Sequence, residues 1–419
     1  MTSRYRVDYA LKAHRKDEFI EWTKSLLTVP FVLHAGSSNH FRIGDDSRQS
    51  AEARRRYAEI FRDLEQLIAD QIYYQSLNDA DLGRLRQMVP SVGHFFTRLP
   101  LERAFYVQDE KRALSKRRMV APSFNDVRLI LNTAQAMALA KPITRLELAT
   151  FDGDVTLYED GANLEEGSPQ ITRILALLER GVAIGIVTAA GYPDPSGKMY
   201  LVRFGALIDA VLNSNLDHEY KANLLVMGGE CNYLFRLDPD IGGLRYIDRE
   251  EWALDEMLAW REDAVSELLD KAEQVLKRQI EVLSMTHTAT LYRKERSIGM
   301  IPLKGKRIPR ENLEEVVLNV QHSLSASPAA KELYFCAFNG GHDVWVDVGD
   351  KRFGVLCLQR YLGGIAMERT LHVGDQFASI GSNDFKARLV AATVWIADPQ
   401  ETVEIIDELV DYLDESNSE

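Results

Sequence analysis

Cysteine is scarce in this sequence: Cys231, Cys336 and Cys357 are the three among 419 residues. None forms a CxxC pair, so neither a disulfide framework nor a cysteine-built zinc site is expected, and the thiols read as buried groups in a reducing cytosol. The nine histidines contain no HExxH pair, which removes that class of zinc hydrolase. A GxSxG elbow, a Walker loop and a GxGxxG string are also missing. No apolar run is long enough to span a bilayer, and the opening Met1 to Arg6 lacks the apolar segment of a secretory leader. Positive charge is the minority, 50 Lys and Arg against 63 Asp and Glu, a net −13. That balance argues against a general affinity for nucleic acid. The expectation is a cytoplasmic protein with neither a nucleic-acid nor a membrane partner.

What is present is a globular composition, 46% apolar and 27% charged, in a length that suits two or three domains. The chain is organised around Ala149-Thr-Phe-Asp152-Gly-Asp154-Val-Thr-Leu-Tyr-Glu-Asp160-Gly161. Leu146, Leu148 and Phe151 alternate as in a strand, and two aspartates follow with a glycine between them. Paired carboxylates at a strand end are costly unless a cation holds them, which suits phosphoryl transfer with magnesium. The same string also suits a polar turn. Two later stretches tip the balance: Gly181 to Thr188 is an apolar run ending in a hydroxyl, and Thr370-Leu-His-Val-Gly374-Asp375 is another ending in an acid. Open α/β sheets bind ligands at the carboxyl edge of such strands. Between them, Lys351 opens a predicted helix.

Phe151 to Leu157 resembles the first motif of the haloacid dehalogenase phosphatases, and Thr188, Lys351 and Gly374-Asp375 match the second, third and fourth in order. A longer resemblance covers almost the whole chain. Arg4-Tyr-Arg-Val7, Arg118 to Asp126, Thr150 to Gly161, Val187 to Tyr192 and Leu371 to Phe377 are similar to strings of the IMP-specific 5′-nucleotidases of fungi and apicomplexan parasites. The implied fold class is α/β: a parallel-sheet core with an inserted α/β cap and a mostly helical N-terminal domain. The domains expected are residues 1–145, helical and regulatory or oligomerising; 146–195 with 346–419, the catalytic core; and 196–345, the cap. Within the first, helices are expected over Asp17–Leu27, Ala51–Tyr74 and Phe124–Leu139, with a polar loop over His34–Ser50.

The resemblance implies hydrolysis of IMP to inosine and phosphate. Asp152 would attack phosphorus, and Asp154 would protonate the leaving oxygen and then activate water. Mg²⁺ would be held by Asp152, Asp154 through its carbonyl, and Asp375. Thr188 would bond a phosphoryl oxygen and Lys351 would offset charge. The second acid of the fourth motif departs from its common spacing, which leaves Asp384 as a residue acting behind the ligands. Asp160 would touch the substrate, or form an Asx turn. Gly228-Gly-Glu230 could reach the base but reads more simply as a hairpin turn, with no role assigned. The family further implies activation by ATP and a homotetramer. The basic stretch Arg103 to Arg118, with Lys116, Arg117 and Arg118 as effector residues, is the expected polyphosphate contact, although a solvated helix face has the same pattern. Two other readings are a phosphosugar mutase, on a faint likeness at Arg296, Gly299 and Met300, and a non-catalytic nucleotide-binding regulator.

Overall fold

The computed structural model describes residues 17–35, 46–377 and 381–418. The chain forms two compact units. One comprises residues up to Leu146 together with Ala392–Trp395 and Glu404–Glu419, the other Glu147–Ala391 with Ile396–Val403.

The first unit is helical: α1 (Glu18–Ala35), α2 (Asp46–Ser76), α3 (Leu101–Arg112) and α4 (Phe124–Leu139). Tyr57, Phe61, Leu64 and Ile68 recur on one stripe of α2 and are buried with Phe105 of α3 and Val127, Ile130 and Met137 of α4. The Phe61 and Phe105 rings stack at 5.4 Å. Ser123 and Asp126 cap α4 reciprocally, the arrangement that satisfies orphan N–H groups at a helix start. Helices extend past the expected bounds: α1 reaches Ala35 and α2 begins at Asp46, so helix replaces both ends of the expected polar loop. The loop's middle and the Arg4-Tyr-Arg-Val7 string lie outside the described residues.

The second unit holds two sheets. In the first, the strand order is β10-β1-β2-β3-β4-β5, with β1 (Leu148–Phe151), β2 (Ala183–Thr188), β3 (Leu224–Gly228), β4 (Tyr233–Asp238), β5 (Gly243–Ile247) and β10 (Thr370–Gly374). β10, β1, β2 and β3 run parallel, and β4 and β5 turn back antiparallel. All residues of β1, β2, β3 and β10 are buried, the property of parallel strands covered on both faces. The helices α5 (Pro169–Glu179) and α6 (Lys198–Leu212) supply the crossovers.

The second sheet has the order β6-β7-β9-β8: β6 (Ala289–Arg293), β7 (Ser297–Pro302), β8 (Phe335–Asn339) and β9 (Val344–Val348), all antiparallel. The helices α7 (Glu262–Val282) and α8 (Arg310–Ser325) belong to this lobe. The inserted lobe is therefore shorter than residues 196–345. Leu224 to Ile247, expected in the cap, pair instead in the first sheet. The reason is in the residues: Leu224-Leu-Val-Met227 is apolar on both faces and needs cover on both, which a place beside β2 provides. The chain returns to the first sheet through α9 (Lys351–Tyr361).

Candidate active site

β1 delivers Asp152 to the carboxyl edge of its sheet. The Asp152 N–H still donates to Val373 O at 2.9 Å, so the residue is fixed as if it extended the strand. Its side chain is 8% exposed. Oδ1 accepts the Gly153 N–H at 2.7 Å and lies 2.7 Å from Lys351 Nζ, which leaves Oδ2 as the oxygen turned to the site. Lys351, the first residue of α9, is fully buried, and Nζ also reaches Asp384 Oδ1 at 2.6 Å. Asp384 in turn accepts from His372 Nε2 at 3.0 Å and, through Oδ2, from the Gln376 N–H at 2.9 Å. His372 Nδ1 lies 2.9 Å from Thr150 Oγ1. The Thr150 hydroxyl also donates to Leu371 O at 3.0 Å, and burial lowers the His372 pKa in spite of Asp384.

The electrostatics divide the carboxylates. Burial pushes Asp152 up, Lys351 pulls it back and Asp384 raises it again, leaving it at about 7. Burial opposes the charge on Asp384 too, but Lys351 and His372 outweigh it and hold that group at about 2. Burial, then Asp384 and Asp152, raise Asp375 well above the usual carboxylate range. Ligand oxygens of Asp152, Asp375 and Asp384 all lie within 4.8 Å of one another. Three acids share one ammonium there, and the surplus of negative charge suits a hard divalent cation with oxygen ligands. Asp384, expected to act behind the ligands, lies in the same acidic cluster.

Asp154 is more open, with 37% of its side chain exposed; Oδ1 accepts the Gly161 N–H at 3.0 Å and lies 3.5 Å from the Arg203 guanidinium. The next residue, Val155, has φ +59°, an outlier for a β-branched side chain. Leu157 N–H bonds Gly153 O at 2.8 Å, and Thr402 Oγ1 bonds Thr156 O at 2.8 Å, so the turn is held from both sides. Thr188 ends β2, buried, its Oγ1 accepting the Ala190 N–H at 3.1 Å. A Cβ on Gly153 would sit 2.6 Å from the Tyr158 hydroxyl and 3.5 Å from Thr188 Oγ1, so two hydroxyls close round the turn and a side chain there would displace Tyr158. Asp160 is exposed and faces His342 Nε2 of the inserted lobe at 3.5 Å.

The inserted sheet adds a face that no motif marked. Val344, Val346 and Val348 are buried in the apolar core, so Trp345 and Asp347 project from the opposite face of β9. A Cβ on Gly299 would meet the Trp345 ring at 2.7–2.8 Å, so the indole lies flat on bare backbone. Lys294 Nζ sits 4.7 Å from the Trp345 ring, 5.5 Å from that of Tyr192 and 3.5 Å from Gly191 O, which joins this face to the loop after Thr188. Both carboxylate oxygens of buried Asp347 have no partner among the described residues, and burial pushes that group to about 7 in spite of Lys294.

Asp152, Lys351, Asp375 and Asp384 are thus brought together, with Thr188 and Asp154 at the same edge. Lys116, Arg117 and Arg118 belong to the first unit: Lys116 is exposed, Arg117 forks onto Asp126 at 2.7 and 3.2 Å, and Arg118 donates to Ser50 Oγ at 2.9 Å. Of the mutase-like trio, Arg296 pairs with Glu262, Met300 is buried and Gly299 underlies Trp345. Sequence reasoning missed Tyr158, Arg203, Lys294, Trp345, Asp347, His372 and Asn383. Signals were present for three of them: Tyr158 and His372 lie inside strings that carry the family resemblance, and Asn383 stands beside Asp384.

The comparisons with known proteins agree on one family. The family model for IMP-specific 5′-nucleotidases matches residues 1–406. The Yarrowia lipolytica IMP-specific 5′-nucleotidase 1 is 55% identical over 415 residues, covering 99% of this chain and 98% of the relative. The Neurospora crassa protein of the same name is 52% identical over 435 residues, with 99% of each chain covered. Among solved structures, the IMP-bound Plasmodium falciparum IMP-nucleotidase superposes with a TM-score of 0.81 at 32% identity, covering 94% of this chain and 96% of that one. An ATP-bound structure of the Plasmodium enzyme gives 0.78 at 32%, covering 97% and 88%. With the expected sheet, inserted lobe and motif order all in place, this chain belongs to the IMP-specific 5′-nucleotidase family.

Proposed function

We propose that the chain hydrolyses IMP to inosine and phosphate in two steps, through an aspartyl phosphate on Asp152. The observation that supports this reading is Asp152 itself: Oδ1 is occupied by Lys351 and Gly153, which leaves Oδ2 for the attack. In the first step Oδ2 attacks phosphorus, the bond from phosphorus to the ribose 5′-oxygen breaks, and Asp154 passes its proton to that oxygen. In the second, Asp154 takes a proton from water, the water oxygen bonds phosphorus, and the acyl phosphate bond to Oδ2 breaks. Thr188 and Tyr158 donate to phosphoryl oxygens, and Lys351 offsets charge on them. Mg²⁺ would be held by Asp152, the Asp154 carbonyl and Asp375, with Asp384 behind them holding Lys351, and when bound it would supply positive charge to the phosphoryl group. Asp152→Asn should abolish phosphate release from IMP, since the nucleophile is lost at unchanged volume. Asp154→Asn should let Asp152 become phosphorylated but stall the water step, so radiolabelled phosphate stays on the protein. Turnover near the parent's in Asp152→Asn removes that residue from the role.

The cation assignment has a pH consequence. Asp152 at about 7, and Asp375 raised as well, hold protons that a cation must expel. Calorimetric Mg²⁺ titrations in buffers of different ionisation enthalpy should register more proton release at pH 6 than at pH 8.5. Asp375→Ala should raise the Mg²⁺ needed for half-maximal activity. Asp384→Asn should chiefly lower kcat, by freeing Lys351. The reverse ordering would place the metal on the later acid.

The substrate base would lie on Trp345. Hypoxanthine offers an acceptor oxygen and a ring N–H donor where adenine offers a donor and an acceptor. Lys294 donates and Asp347 accepts, so the pair matches IMP and opposes AMP. Asp347→Ala should lower the IMP-over-AMP ratio of kcat/KM by about tenfold, near one hydrogen bond's worth. An unchanged ratio would take Asp347 out of base recognition.

ATP would activate a cytoplasmic homotetramer through the basic stretch of the first unit. Its arginines are already partnered by the protein, and exposed Lys116 is the group best able to meet a polyphosphate. Lys116→Ala should therefore weaken activation by a non-hydrolysable ATP analogue, read as the shift in apparent KM for IMP. Light scattering with and without the analogue tests the tetramer. Equal activation in parent and variant moves the effector site elsewhere.

A further inference from the structure

Glu230 occupies a position that suits glycine better. It follows Gly228 and Gly229 in the β3–β4 hairpin, and both Gly229 and Glu230 are left-handed, at φ +58° and +64°. Glycine takes that conformation freely, whereas a glutamate there is strained. The backbone has no room to relax. Glu230 N–H donates to Thr188 O at 2.9 Å and Gly229 N–H to Ala190 O at 3.1 Å. Asn232 Nδ2 ties the same turn to Val348 O at 2.7 Å. A Cβ on Gly354 of α9 would fall 2.3 Å from Glu230 O. The turn is thus wedged between the strand that ends in Thr188 and the helix that begins with Lys351.

The side chain is as costly as the backbone. Glu230 is fully buried, and its Oε1 accepts from Asn383 Nδ2 at 3.2 Å. Glu230 Oε2 and Asn383 Oδ1 are both buried without a partner among the described residues. A buried, half-satisfied polar pair is less stable than an apolar filling of the same volume. Burial raises the carboxyl's pKa, opposed by Lys351, with Asp347 and Asp152 adding to the rise, so the group lies within electrostatic reach of the reacting residues. Stability alone selects neither the glutamate nor its conformation.

We propose that Glu230 is a positioning residue for phosphoryl transfer: it orients the Asn383 amide and so fixes the Asn383–Asp384 corner that anchors Lys351. An acceptor at Oε1 admits only the NH₂ end of Asn383, which turns Oδ1 the other way. The next residue, Asp384, then meets Lys351 at 2.6 Å and His372 at 3.0 Å. This role presupposes the phosphohydrolase reading of the same site.

The test compares Glu230→Ala, Glu230→Gly, Glu230→Gln, Asn383→Ala and the Glu230→Ala/Asn383→Ala double variant. Each is measured for IMP hydrolysis, for calorimetric Mg²⁺ binding and for thermal midpoint. Glu230→Ala should lower kcat and weaken Mg²⁺ binding by about 10- to 100-fold, the usual effect of losing an outer partner of such a site, with KM for IMP little changed. Glu230→Gln keeps an acceptor for Asn383 and should restore most of the loss. The double variant should lose no more than Asn383→Ala does. Glu230→Gly should be at least as heat-stable as the parent yet as impaired as Glu230→Ala. Activity that merely follows the thermal midpoint across the series, or parent-like kcat and Mg²⁺ affinity in Glu230→Ala, overturns the proposal. A parent that releases no phosphate from IMP overturns the hydrolase reading instead, and the Mg²⁺ and thermal arms still decide whether Glu230 organises the corner.

Discussion

A fully buried ammonium between two carboxylates governs the arrangement of this protein's catalytic edge. Lys351 lies 2.7 Å from Asp152 and 2.6 Å from Asp384. Taking such charges out of water costs several kcal/mol per ion, recovered only when every partner is in place. The three residues come from β1, from the start of α9 and from the segment after β10, so three distant parts of the chain must converge. The register of the sheet makes convergence possible. Thr150 pairs with His372 across β1 and β10, His372 holds Asp384, and Asp384 holds Lys351. The ion pair therefore rests on backbone pairing between parallel strands rather than on flexible side chains, which suits a site proposed to hold phosphoryl oxygens without rearranging.

The inserted lobe is coupled to that edge by a short path. Asp347, on the face beside Trp345, and Lys351 are separated by Val348, Gly349 and Asp350. Gly349 is left-handed at φ +85°, and a Cβ there would fall 2.2 Å from Cys231 Sγ. The turn admits no side chain, so Asp347, proposed to face the base, and Lys351, proposed to face phosphate, keep a fixed separation. A nucleotide longer or shorter between base and phosphate than a 5′-monophosphate would meet only one of them. The negative charge of the whole chain is no obstacle to an anionic substrate, because local groups decide the matter: Lys351, Lys294 and Arg203 converge where the phosphate and base are proposed to lie.

The parallel core was legible because three of its four strands are short apolar runs ending in a polar residue, at Asp152, Thr188 and Asp375. That pattern follows from burial on both faces and from chemistry at one edge. Leu224 to Met227 has the same apolar run but ends in glycines, so nothing at its end marks it as part of the site edge. Asp384 was undervalued for a different reason. Its distance from Asp375 along the chain is longer than the common spacing, and spacing says nothing about an ion pair with Lys351. Trp345, Asp347 and Lys294 had no readable signal at all. Their meeting depends on alternation within β9, on Gly299 opposite Trp345 and on a contact with the loop after Thr188, all of which are tertiary facts.

Backbone strain separates the two kinds of information. Five non-glycine residues among those described are left-handed: Asn78, Ala113, Val155, Glu230 and Ser284. Asn78, Ala113 and Ser284 follow the ends of α2, α3 and α7, where a left-handed residue commonly closes a helix. Their strain belongs to local structure, and glycine or asparagine would serve equally well. Val155 and Glu230 end no helix. One follows Asp154 directly and the other bonds the residue before Asp384, so both lie one step from an acid of the site. Local preference and global position disagree at these two places, and in a fold otherwise consistent from strand pattern to capping box, such disagreement is expected where geometry has been set by chemistry rather than by stability.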